Sequence, residues 1–220
     1  MDRFEDDGTW IWTAVDPISR AVLGHIIGPR RQHIADRMVR LVKKRLSGIP
    51  LYVSDGLKFY TRAILKAYGQ PTIFPRTGQR GRPRLPALVP PPDLRYAQMI
   101  KHQQDGHLVC VERRSVFGNV DASEITTSRV ERCNLTMRQD NRRLARKTLA
   151  FSRKEEPLDD QMCFSFAHFN FCRSHLSLKN RDLVGPDSNV TPMMALGVSD
   201  HVWSLRELLT FPYHKTSVCN

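Results

Sequence analysis

The sequence predicts an α/β fold, a mixed sheet with flanking helices. Three observations carry that expectation. The first 70 residues pass through strand, strand, helix, strand and helix patterns. Thr127–Lys147 holds neither proline nor glycine and suits a long helix. Hydrophobic residues make up 40% of the 220, enough for a core and too many for a disordered chain.

Trp10–Val15 (WIWTAV) is aromatic and β-branched, and Asp16-Pro17 breaks it. Val22–Ile27 (VLGHII) is a second strand, close enough to pair with the first as a hairpin. In Gln32–Leu46 the residues Ile34, Met38, Leu41, Val42 and Leu46 recur at helical spacing over a basic opposite face. Gly48 and Pro50 stop that helix, and Leu51–Val53 is a short strand leading into Ser54-Asp55-Gly56. A helix over Leu57–Tyr68 ends at Gly69. Residues 75–92 hold six of the fourteen prolines together with Arg76, Arg80, Arg82 and Arg84, so a basic loop is expected there. Strands follow at 95–101 and 107–112, and then the Thr127–Lys147 helix. Phe164–Phe171 (FSFAHFNF) suits a helix whose aromatics pack a core, and residues 203–210 a terminal helix.

The chain carries 34 Lys and Arg against 22 Asp and Glu, a net charge of +12, which favours an anionic partner. Between Ser128 and Lys154 nine basic residues face only Glu131 and Asp140. Arginine dominates that stretch, as bidentate phosphate contacts require, and it reads as a nucleic-acid face. Five cysteines without Cys-x-x-Cys spacing argue against a zinc ribbon or a disulfide scaffold. They are expected to be reduced, mostly buried thiols of a cytoplasmic protein. No apolar run approaches the roughly 20 residues that cross a bilayer. The acidic N-terminus does not suit a secretory signal.

Two carboxylates stand out. Asp55 lies at a strand end, where sites on open sheets gather, although Asp-Gly is also a common turn. Glu131 lies on the basic stretch, where Ser128 three residues earlier would make it half of a capping box. Two-metal phosphodiester chemistry needs roughly three or four acidic ligand groups around two cations about 3.5–4 Å apart, with basic residues to hold the polyanion. The order strand, strand, helix, strand-Asp, then helix-Glu fits a ribonuclease-H-like sheet.

The chain resembles the DDE transposases of bacterial and archaeal insertion sequences, in particular the insertion-sequence-one type. The stretches that carry the resemblance include WIWTAVDPISRAVLGHIIGPR (10–30), YVSDG (52–56), YAQMIK (96–101) and TSRVERCNLTMR (127–138). RRLARKTLAFSRK (142–154), FNFCRSHLSL (169–178) and TPMMALGVSDHVWSLRELL (191–209) extend it. The resemblance implies a ribonuclease-H-like catalytic domain over 10–180, carrying the basic loop at 75–92. A short remnant at 1–9 precedes it, and a C-terminal loop and helix follow at 181–220. It implies cleavage and strand transfer at transposon ends with Mg2+ or Mn2+, with transposon and target DNA as partners and a homo-oligomer to hold two ends. Asp55 matches the family's second catalytic acid and Glu131 the third. Arg129, Arg132, Asn134, Arg138, Arg142, Arg143 and Arg146 are the expected DNA contacts.

In the family the first acid lies on a strand before the one that matches 10–15. The nine residues before Trp10 include Asp2, Asp6 and Asp7 but no apolar strand pattern. The expectation is a truncated chain with two of three acids, either of low activity or a DNA-binding remnant that interferes with an intact transposase. Asp16 is the alternative third acid, although its Asp-Pro turn already accounts for it.

Overall fold

Residues 8–74, 85–145, 148–150, 152–178 and 189–212 are described by a computed structural model. The chain divides into two units, one of residues 1–14 and 23–134, the other of 15–22 and 135–220. The predicted mixed α/β character holds, with a mixed three-stranded sheet and helices.

In the first unit β1 (Trp10–Val15) pairs with β2 (Val22–Gly28). Helix α1 (Gln32–Arg45) buries Ile34, Ala35, Met38, Val39 and Val42, one stripe at 3.6-residue spacing. Lys43, Lys44 and Arg45 close it, cations at the negative end of the helix dipole. Strand β3 (Tyr52–Ser54) leads to α2 (Phe59–Tyr68), whose Ala63, Ile64 and Tyr68 join α1, Trp12, Ile26, Leu94 and Tyr96 in one core. The Lys66 ammonium reaches Asp36 Oδ2 at 2.7 Å, tying α2 to α1.

Strands β4 (Gln70–Thr72) and β5 (Ala87–Val89) form a small antiparallel pair. The segment expected to be loop over 75–92 therefore contains a strand, an exposed two-stranded one that tolerates Pro71 and the nearby prolines. Arg76, Arg80, Arg82 and Arg84 lie outside the described residues.

Strand β6 (Tyr96–Gln104) runs parallel to β3, with Tyr52 opposite Tyr96 and Ser54 opposite Gln98. It runs antiparallel to β7 (His107–Phe117). Both strands are longer than predicted. At the tip Asp105 and Gly106 have φ of 50° and 79°, the left-handed pair of a two-residue hairpin turn. Among the described residues the strands form three sheets, of which β3-β6-β7 is the mixed one. Among the described residues β1 pairs with β2 alone and β3 with β6 alone.

Helix α3 (Ser128–Asp140) is shorter than the predicted 127–147. Asn141 leaves helical geometry at φ −124° and ψ 106°, and its side chain accepts the Arg143 N–H, a local bond that competes with further helix. Arg142–Leu144 then forms one 3-10 turn.

In the second unit α4 (Glu155–Phe171) buries Met162, Phe166, Phe169 and Asn170. The aromatic run does mainly pack a core, though Phe164 is exposed. Short helices α5 (Pro192–Ala195) and α6 (Leu205–Thr210) follow, the latter with a capping box between Ser204 and Glu207. Trp203 lies between the rings of Phe171 and Phe211, at 4.5 and 5.0 Å. No described helix is long and apolar enough to cross a membrane. No disulfide joins the described cysteines, and only Cys133 is buried, its thiol pushed up to about 12 by burial. Cys110 and Cys163 are exposed, against the expectation of mostly buried thiols.

Buried Asn170 acts as a strand substitute: its Oδ1 accepts the Val22 N–H at 2.9 Å and its amide donates to the Val22 carbonyl at 3.0 Å. Asn170→Ala strands both backbone groups, so stability falls by about 2–4 kcal/mol. Urea unfolding checks this as a lower midpoint at unchanged slope.

Candidate functional site

The parallel pairing of β3 with β6 places Asp55. Ser54 is opposite Gln98, so Asp55 leaves the sheet beside Met99. A Cβ on Gly56 would meet Ile100 Cγ1 at 3.2 Å, which keeps the turn close to β6. Asp55 is exposed, and its Oδ1 accepts the Leu57 N–H at 3.2 Å, an Asx turn that leads toward α2.

Beneath this turn runs a chain of polar side chains. The Arg114 guanidinium donates to Gln98 Oε1 at 2.7 Å, and Gln98 Nε2 donates to the Tyr96 hydroxyl at 2.8 Å. The Tyr96 and Ser54 hydroxyls share a hydrogen bond of 2.8 Å. Tyr96 and Gln98 are fully or nearly fully buried, so each bond fixes a group that would be costly to leave unpaired. Burial first, and then the nearby Asp55 charge, act to raise the Tyr96 phenol despite hydrogen bonds that lower it. Sequence reasoning missed this network. Its signal was polar residues at period two, Tyr96 and Gln98, in a strand otherwise suited to the core.

Glu131 sits in the first turn of α3. The Lys101 ammonium on β6 donates to both its oxygens, at 2.6 and 2.7 Å, and the Thr127 hydroxyl donates to Oε1 at 2.6 Å. Thr127 Oγ1 is also 3.5 Å from Met99 Sδ. Both carboxylates therefore flank Met99–Lys101 on β6. The expected capping box with Ser128 does not form. The helix begins one residue earlier than that motif requires, and the Ser128 N–H donates to Thr126 Oγ1 at 3.2 Å. Partial burial acts to raise the Glu131 carboxyl, but the hydrogen bonds from Lys101 and Thr127 and the Lys101 charge outweigh it. It is held below the ordinary glutamate range.

Asp16 belongs to the second unit and is occupied by its turn. Its Oδ2 accepts both the N–H and the hydroxyl of Ser19. Among the described residues no third carboxylate, His or Cys clusters with Asp55 and Glu131. Asp2, Asp6 and Asp7 lie outside the described residues.

Of the expected DNA contacts, Arg129, Arg132 and Arg138 are exposed on α3 and Asn134 is half-buried there. Arg142 and Arg143 are exposed on the separate 3-10 turn, so no single basic helix carries the whole stretch. Arg146 lies outside the described residues.

The family model described as IS1 transposase matches residues 95–170. That segment is similar to IS1 transposases. The match starts just before β6 and runs to the end of α4, taking in Glu131 and the arginines of α3, while Asp55 precedes it. No curated protein and no solved structure matches the chain.

Removing the Lys101 charge should raise the Glu131 titration. In Lys101→Met the Glu131 midpoint, followed by carboxyl NMR, moves up from its depressed position. A depressed carboxyl stabilises the fold above the unfolded glutamate pKa, and that contribution is lost as pH falls through the folded value. The stability gap between wild type and Lys101→Met is thus present at neutral pH and closes on acidification. An unmoved midpoint would show that Lys101 does not govern Glu131.

Proposed function

We propose that this chain is the DNA-processing part of an insertion-sequence transposase, with a ribonuclease-H-like catalytic domain over 10–180 and Asp55 and Glu131 as metal-binding acids. The observation that carries the reading is the IS1 transposase match over 95–170, which contains Glu131 and the strand on which the Asp55 turn rests.

The donor set suits a hard cation in chemistry. Both groups are carboxylates, Asp55 is exposed, and Glu131 is held ionised at neutral pH. Mg2+ or Mn2+, when bound there, would polarise the phosphoryl group and stabilise the leaving oxygen. Lys101 holds both Glu131 oxygens and would compete with a cation for them. The basic residues of α3 would hold the DNA while water attacks phosphorus and the 3′ oxygen leaves. In strand transfer that 3′ hydroxyl attacks a phosphodiester of target DNA, and a homo-oligomer would hold two ends together.

A second reading rests on the count of acids. Among the described residues only two carboxylates come to this site, fewer than two-metal chemistry requires, which favours a non-catalytic DNA-binding remnant that interferes with an intact transposase. The two readings part on metal binding. The first expects Mn2+ to bind the chain in calorimetry, more weakly in Asp55→Asn and Glu131→Gln, and any nicking of labelled transposon-end DNA to be lost in both variants. Nicking by this chain alone should be slight. DNA binding without Mn2+ binding favours the remnant. Robust nicking that Asp16→Ala abolishes would make Asp16 the third acid after all.

A further inference from the structure

The second unit contains a cavity of about 630 Å³ that the carboxylate site does not use. The 3-10 turn supplies Arg142 and Arg143 to its lining, and the residues entering α4 supply Ser152, Arg153 and Lys154. Asn141 and Gln161 complete the polar lining. Among the described residues no acidic one lines it. Among the described residues none of its four cations is ion-paired with a carboxylate. Glu155 and Glu156 follow in the first turn of α4 but lie outside the lining.

The cavity is also braced. Asn141 is 2% exposed, and its Oδ1 accepts Gln161 Nε2 and the Arg143 N–H, each at 3.0 Å. That joins the 3-10 turn to α4. The Arg143 guanidinium donates to Ser152 Oγ at 3.1 Å, a second link across the cavity. Four uncompensated cations held together by a buried amide repel one another, and an anion relieves that repulsion.

We propose that this cavity seats the DNA backbone, with Arg142, Arg143, Arg153 and Lys154 gripping adjacent phosphodiesters and Asn141 as a positioning residue. The volume exceeds what a phosphate alone fills, and guanidinium groups match phosphate oxygens in bidentate fashion. Every lining residue falls within 95–170, the IS1 transposase match. The inference rests on the DNA-processing reading and adds a grip separate from the metal-binding acids.

The test uses the full chain and a labelled duplex, with affinity followed by anisotropy across a salt series. Arg153→Gln with Lys154→Gln should weaken binding to all sequences alike. It should also make the log-affinity against log-salt slope shallower by roughly 1–2. The charge-matched pair Arg37→Gln with Lys44→Gln, on α1, should leave the slope near wild type. Circular dichroism melting confirms that both variants fold. A cavity variant with wild-type affinity and slope overturns the grip alone, as does an equal loss in the α1 pair. Absence of DNA binding by the wild type overturns the DNA reading and the grip together. Inorganic phosphate binding to the wild type in calorimetry but not to the cavity variant, with duplex affinity and slope the same in both, would assign the cavity to free phosphate and overturn the proposal.

Discussion

The parallel pairing of Tyr52–Ser54 with Tyr96–Gln98 is the constraint on which the first unit depends. It brings a three-residue strand against the longer β6, and the buried Tyr96 hydroxyl bonds to both. From that fixed point Asp55 turns out beside Met99, and Lys101, two residues further along β6, reaches Glu131. One strand thus sets two carboxylates that are 76 residues apart in sequence. A slip of one residue would turn Tyr96 and Gln98 out of the core, so burial itself enforces the register.

The first half of the fold was legible because its signals are local. Trp10–Val15, the apolar stripe of Gln32–Arg45 and the short run Leu51–Val53 before Asp55 each state their element locally. What failed was tertiary or subtle. The end of α3 depends on Asn141, whose side chain bonds a backbone N–H two residues on, and nothing in helix propensity marks that position strongly. The strand Ala87–Val89 was hidden by its prolines, because its partner Gln70–Thr72 supplies the pairing. The division of the strands into three sheets is non-local and has no sequence period.

The candidate site was half legible. Asp55 and Glu131 stood out by residue type and by resemblance, and the structure sets both against β6. Lys101 did not stand out, because one lysine on a strand carries no pattern until Glu131 is folded against it. Asp16 attracted notice as a carboxylate at a strand end, yet its oxygen is spent on Ser19. In sequence the basic stretch forms one continuous run. Its charges divide between a helix, which exposes arginines along its length, and a braced cavity in the second unit.

The central claim is that Asp55 and Glu131 serve one cation across β6. Paramagnetic broadening by Mn2+ in amide NMR spectra tests it most directly. At low Mn2+ the account predicts that signals of Ser54–Gly56 and of Thr127–Arg132 broaden together, and that Glu131→Gln weakens the effect at both. Broadening confined to one of the two segments, or centred elsewhere on the chain, would contradict a shared site.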